Sequence, residues 1–188
     1  MRTTIACLMA IAIVPAALRL WLANEAGAQP SGVTMTADNR LPFPSGYRTW
    51  VWLSSGFGMT YSEGGSSPQF DNVFVDRASW SAFEQTGHWP DKTVLVLEER
   101  ASASHGSINK EGHFQTAMAG LVAHVRDSRF PGGWAFYNFG TSKEPARVIP
   151  ATADCYSCHQ KSGTVDTTFV QFYPTALEIA KRKGTARE

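Results

Sequence analysis

The chain has 188 residues, with 17 Lys and Arg against 16 Asp and Glu, and it contains three cysteines. At roughly 150 residues per domain, this length fits one domain with short appendages. A formal net charge of +1 argues against a dedicated nucleic-acid-binding protein, because such proteins usually carry a strongly basic face. Three cysteines are also too few for a fold held together by disulfides. These exclusions leave a globular protein with a buried core.

The segment 1–28 has the pattern of a cleaved signal peptide. A basic start precedes an apolar run, and residues 26–28 are Ala, Gly and Ala, the small residues that signal peptidase recognises. A membrane anchor is the alternative, but Arg19 interrupts the run and makes insertion costly. Cleavage would remove Cys7 and leave two cysteines. The segment therefore predicts an exported, periplasmic protein without a membrane segment after cleavage.

Turn residues and apolar patterns divide the rest of the chain into an irregular lead-in, 29–46, and one domain, 47–188. Within the domain, β-branched, aromatic and alternating apolar residues predict five strands. These strands are 47–53, 73–75, 93–98, 114–125 and 133–139. The fourth segment has helix-favouring alanines, but its alternation of apolar and polar residues favours a strand.

Short helices and turns separate these strands. A helix is predicted over 80–85, with Ser79 as its cap and Gly87 at its end, and a second helix over 174–183. Polar and Gly-rich stretches predict a loop over 56–68 and a hairpin connection over 101–112; residues 89–92 form a turn. Strands separated by turns indicate an α+β domain, mainly an antiparallel sheet with a few short helices.

One short motif carries recognisable chemistry. Cys155 and Cys158 are separated by two residues, and His159 follows directly, which is the attachment sequence of a c-type haem. Two thiols one helical turn apart can each add to a vinyl group of one porphyrin, and the adjacent imidazole then lies under the iron. A redox Cys-x-x-Cys would need a βαβ context, and a zinc site would need a second ligand pair. The motif predicts one covalent haem c per chain, with His159 as the proximal iron ligand.

No residue stands out as a sixth iron ligand. The methionines fall in the lead-in, in a glycine-rich loop and in an apolar run; they are Met35, Met59 and Met118. The histidines outside the motif have polar neighbours that indicate surface positions; they are His88, His105, His113 and His124. Electron-transfer cytochromes usually close the sixth position with Met or His. The sequence therefore predicts an open distal position, which favours catalysis or binding of a small ligand over a plain electron shuttle.

Several segments together resemble cytochrome P-460. They are Trp89–Glu98, Gly133–Tyr137, Cys155–His159 and Val165–Pro174. The resemblance implies a c-type haem packed against a mainly antiparallel sheet in a periplasmic homodimer. It implies an enzyme that oxidises hydroxylamine and, with nitric oxide, yields nitrous oxide, passing electrons to a periplasmic cytochrome. A sister branch, the beta-type cytochromes c-prime, shares the fold but only binds nitric oxide or carbon monoxide, and this is the alternative function.

The resemblance also implies two residues that separate these branches. In the enzymatic branch a lysine is cross-linked to a meso carbon of the porphyrin. Lys92 is the candidate, because it stands in a Pro-Asp-Lys-Thr turn where the binding branch tends to carry Gly, and Lys110 is the fallback. The second residue is a distal carboxylate that takes protons from hydroxylamine. Asp166 is the candidate, and a helix-capping role is its equal alternative.

Overall fold

The computed structural model describes residues 34–60 and 68–187. The predicted signal peptide and Cys7 lie outside the described residues, as does most of the predicted loop 56–68. None of the helices in the described part of the chain is both long and apolar enough to cross a membrane.

Five antiparallel strands form one sheet in which every strand pairs with its neighbour in the sequence. The strands are β1 (Val51–Phe57), β2 (Gln69–Val75), β3 (Val94–Ala103), β4 (Phe114–Arg126) and β5 (Trp134–Asn138). This meander keeps all connections short, so that neighbouring strands pair locally. The predicted α+β class with a mainly antiparallel sheet is confirmed.

Three helices accompany the sheet. They are α1 (Arg77–Thr86), α2 (Asp154–Ser162) and α3 (Pro174–Lys183). Helix α3 begins at a proline in its first turn and ends at Gly184 in the left-handed region, with three basic residues in its last turn. These bounds match the prediction for 174–183. Helix α1 ends at Gly87, also left-handed, as predicted.

Two expectations for local structure were wrong. The first half of the predicted strand 47–53 is a 3-10 turn, because the amides of Tyr47 and Thr49 donate to the nearby carbonyls of Pro44 and Gly46. The cap of α1 is Asp76 rather than Ser79. Asp76 accepts hydrogen bonds from the Ser79 amide at 2.9 Å and from its hydroxyl at 2.6 Å, so Ser79 lies inside the first turn.

Alternation along the strands separates two faces of the sheet. On one face, the chain before β1 and after β5 covers a core that includes Leu41, Tyr47, Val96 and Ala123. On the other face, α1, α3 and the segment before α3 form a second core around Phe83, Trp89, Val170, Ala176 and Ile179. This second core covers only part of its face, and a cavity occupies the remainder.

A buried carboxylate lies in the first core. Glu98 is 3% exposed and accepts hydrogen bonds from the Tyr47 hydroxyl and from Arg100, each at 2.9 Å, and from Arg48. Burial alone would raise the pKa of Glu98, but the hydrogen bonds from Arg48, Tyr47 and Arg100 outweigh it and hold the pKa below its usual value. Arg48 is therefore engaged on the face opposite the cavity.

Candidate functional site

Helix α2 presents the cysteine and histidine motif to the cavity. Cys155, Cys158 and His159 stand three and four residues apart, which places their side chains on one face of the helix. Neither cysteine forms a disulfide, and burial foremost raises the pKa of the Cys155 thiol. All three side chains line a cavity of about 500 Å³ between α2 and the sheet.

The rest of the cavity wall is mostly apolar. It includes Val73, Leu95, Leu97, Val122, Phe136, Phe169 and Phe172. An apolar cavity with two thiols and one imidazole converging on it suits a flat, largely hydrophobic macrocycle that carries a metal ion. The residues present therefore fit a haem attached at α2.

A backbone hydrogen bond fixes the orientation of His159. Its Nδ1 lies 2.8 Å from the carbonyl oxygen of Thr167, so Nδ1 carries the proton and Nε2 is the nitrogen left to bind a metal. Burial lowers the pKa of His159, and the bond to Thr167 offsets part of that effect. The imidazole is therefore neutral near pH 7, which is the protonation state of a metal ligand.

Two carboxylates line the same cavity from the sheet. Asp71 in β2 stands directly opposite Glu99 in β3, and both belong to the cavity wall. Burial, and then the nearby charge of Glu99, raise the pKa of Asp71 to about 6. Sequence reasoning missed this pair. The alternation of Asp71 with Val73 and Val75 was the available signal, because it places an acid on an otherwise apolar strand face.

Glycines flank this carboxylate pair in the same row of the sheet. Gly56 in β1 pairs with Asp71, and Gly120 in β4 pairs with Glu99. A Cβ at Gly120 would overlap the Glu99 carboxylate, and one at Gly56 would overlap the thioether of Met59. The missing side chains thus provide the space in which these groups sit.

The cavity also holds a histidine and a methionine that the sequence analysis did not place there. His124 is 7% exposed and stacks on Phe136 at 4.0 Å between ring centroids, so its predicted surface position was wrong. His124 occupies a position of β4 whose side chain lies on the cavity face of the sheet. Its Nε2 has no hydrogen-bond partner among the described atoms. Burial foremost, and then His159, keep the pKa of His124 well below its usual value. Met59 lines the opposite part of the wall, near Gly56.

The structure places Lys92 outside the cavity wall. Its Nζ lies 2.8 Å from Oδ1 of Asp127 and 3.6 Å from Oδ2 of Asp91, and its backbone has a φ of +70°. Glycine adopts this left-handed region more readily than lysine does. The fallback, Lys110, lies in the β3–β4 connection and also outside this wall. The cross-link of a lysine to the haem stays a prediction.

Asp166 also lies outside the cavity wall. It does not cap a helix, because it lies in a tight turn between Val165 and Thr168. Its side chain is 16% exposed. Its carboxylate accepts the backbone N–H of Trp89 at 2.9 Å and contacts His88 at 3.1 Å. The two candidate residues, Lys92 and Asp166, are therefore not brought together with the cysteine motif in one cavity, whereas Asp71 and Glu99 are.

A family model described as Cytochrome P460 matches residues 44–170, more than half of the chain. The chain belongs to the cytochrome P460 family. Membership makes it a mono-haem cytochrome of a family known for oxidoreductase activity. No curated protein matches the chain. The matched region contains the five strands and helix α2 of the described structure, and every residue of the cavity wall except Phe172 and Tyr173.

Proposed function

We propose that this cytochrome oxidises hydroxylamine at a haem c held by thioether bonds to Cys155 and Cys158, with Nε2 of His159 as the proximal iron ligand. The observation that carries the proposal is the Asp71–Glu99 pair on the wall of the cavity that also holds the cysteine motif. A binding protein for a neutral gas has no need of carboxylates in its cavity, whereas a reaction that releases protons does.

The balance of the reaction shows what the carboxylates contribute. Hydroxylamine and nitric oxide give nitrous oxide, water, one proton and one electron. The haem, when bound, supplies the iron that takes the electron. Asp71, with a pKa of about 6, is mostly ionised at neutral pH and is basic enough to accept the proton. Burial, and then the charge of Glu99 opposite it, keep the pKa of Asp71 raised.

The electron must leave the protein for the reaction to repeat. A periplasmic cytochrome is the proposed acceptor, in keeping with the signal-peptide pattern of 1–28. We also propose a homodimer, which follows from the resemblance to the family. Gel filtration of the exported protein tests the homodimer, and recovery of the protein in the periplasmic fraction tests the location.

A second function, binding of nitric oxide or carbon monoxide without turnover, is favoured by one observation. Among the residues that the structure describes, no lysine belongs to the cavity wall. The cross-link to Lys92 implied by the enzymatic branch stays a prediction, and the ion pair between Lys92 and Asp127 does not favour it. The proton-accepting role of Asp71 does not require a cross-link.

The deciding experiment measures hydroxylamine oxidation by the haem-loaded protein with a soluble electron-accepting dye, with and without nitric oxide. We expect turnover in the wild type and a loss of about 10²-fold in Asp71→Asn with unchanged haem content. Asp38→Asn is the matched control, because Asp38 is exposed in the lead-in and pairs only with its neighbours Thr36 and Arg40.

The two alternative functions, gas binding and electron transfer, predict different experimental results. Tight binding of nitric oxide without any turnover would assign the protein to the gas-binding branch. A six-coordinate low-spin ferric spectrum in the resting protein would instead indicate an electron carrier, for which Met59 and His124 on the cavity wall are the candidate ligands.

A further inference from the structure

The carbonyl that orients His159 belongs to a turn with an unfavourable backbone. Thr167 accepts the hydrogen bond from Nδ1 of His159 at 2.8 Å, and it has a φ of +62°. The preceding residue, Asp166, has a φ of +47°. Two consecutive non-glycine residues in the left-handed region persist only where the surroundings impose that conformation. The question is which contacts impose it.

The carboxylate of Asp166 supplies contacts from two elements outside the turn. Oδ2 accepts the backbone N–H of Trp89 at 2.9 Å and lies 3.0 Å from Nη1 of Arg126, an ion pair without hydrogen-bond geometry. Oδ1 lies 3.1 Å from Nδ1 of His88. The side chain thus ties the turn to the segment before β3 and to the end of β4.

The other side of the turn is held by close packing. Thr168 donates its amide to the carbonyl of Val165 at 2.7 Å and accepts a hydrogen bond from the Trp89 indole at 2.9 Å. A Cβ at Gly163 would lie only 2.6 Å from the carbonyl carbon of Thr167 and 2.7 Å from the carbonyl oxygen of His159. The turn therefore lies directly against the end of α2, and its position sets the position of the accepting oxygen.

We propose that Asp166 is a positioning residue for the proximal ligand, since its carboxylate fixes the turn that presents the Thr167 carbonyl to His159. The inference rests on the proposed role of His159 as iron ligand. A hydrogen bond from Nδ1 orients the imidazole and makes Nε2 a stronger donor. Stronger donation favours ferric iron, so loosening the bond raises the reduction potential.

The test compares two variants with the same change in charge. Asp166→Asn keeps an oxygen that can accept the Trp89 amide and tolerates the left-handed region, whereas Asp166→Ala does neither. We expect a higher reduction potential and faster solvent exchange of the His159 Nδ1 proton in Asp166→Ala, and values close to wild type in Asp166→Asn. Equal shifts in both variants, or no shift in either, would overturn the inference, because the effect would then be one of charge or absent.

Three further variants keep the test decisive. Asp166→Gly removes the carboxylate and relieves the backbone strain, so it replaces Asp166→Ala in the comparison if the alanine variant does not fold. Asp38→Ala removes a remote exposed carboxylate and is expected to leave the potential unchanged. His159→Ala separates the two claims. If His159→Ala leaves the iron coordination unchanged, His159 is not the iron ligand. If His159→Ala alters the coordination but the Asp166 variants match the wild type, only the positioning role of Asp166 is contradicted.

Discussion

Asp71 and Glu99 stand directly opposite each other on neighbouring strands and line the cavity that also holds His159. Burial, and then the charge of Glu99, raise the pKa of Asp71, so this wall carries a proton acceptor with a raised pKa beside a second carboxylate. The other titratable side chains on the same wall belong to His124, Asp154, Cys155, Cys158, His159 and Tyr173.

The raised pKa of Asp71 predicts a pH dependence. The group accepts a proton only when ionised, so kcat/KM for hydroxylamine should increase as the pH rises through about 6 and level off above it. In Glu99→Gln the charge that contributes to the raised pKa is absent, and the inflection should move to lower pH. Initial rates between about pH 4 and pH 8 measure both profiles. A profile that is flat, or that Glu99→Gln leaves in place, contradicts the role of Asp71.

Replacing Gly120 should lower activity, because a side chain there would displace the Glu99 carboxylate. In Gly120→Ala the added methyl group overlaps the end of the Glu99 side chain, which is flexible and can move aside. We expect a fall in hydroxylamine turnover of about 10-fold with little change in the melting temperature. Gly46→Ala is the control, because no atom lies within 4 Å of a Cβ there. Equal activity in the two variants would show that the Glu99 position is unimportant.

Asp76 should be the most sensitive carboxylate for stability. It accepts the amide and hydroxyl of Ser79 and also the amide of Val94 at 3.1 Å, so it joins α1 to the start of β3 while 3% exposed. Asp76→Ala removes a helix cap and leaves buried donors unpaired, at a cost of about 2–4 kcal/mol. Urea denaturation measures the loss. Ser79→Ala removes only the hydroxyl donor, and a similar loss there would argue against this assignment.

Lys92→Gly should change stability by less than about 1 kcal/mol. The glycine relieves a left-handed φ, and this gain offsets the lost ion pair, since Asp127 keeps its contact with Arg129. The predicted cross-link is checked with the same variant: if Lys92 is joined to the haem, Lys92→Gly has an altered haem absorption spectrum, and digests of the wild type give a haem peptide that also carries the Lys92 peptide. A wild-type haem peptide joined only to Cys155 and Cys158 would contradict the cross-link.

Much of the fold could be predicted from local sequence. Helix α3 and the end of α1 follow from residues close in the chain, such as Pro174 and Gly87, and the strands follow from apolar patterns. The conformation of residues 47–50 could not be predicted in this way. Their side chains favour a strand, but hydrogen bonds to the carbonyls of Pro44 and Gly46 hold the backbone in a turn.

The site was predictable only in part, for a similar reason. The haem motif is contiguous, and α2 presents it as predicted from its spacing. The Asp71–Glu99 pair depends on the register between β2 and β3, which no residue in either strand specifies alone. The role predicted for Asp166 as a proton acceptor stays a prediction, and its contacts with Trp89 and Arg126 were not foreseen because these residues are distant in sequence.

Glu98 and Glu99 are consecutive residues with the same side chain, yet β3 delivers them to opposite sides of the sheet. Glu98 accepts hydrogen bonds from two arginines, whereas Glu99 lies beside Asp71 on the cavity wall. Deleting or inserting one residue early in β3 would move Glu98 to the cavity side of the sheet and Glu99 to the other side. The proposed oxidation of hydroxylamine is therefore expected to depend on the number of residues in β3 before Glu98.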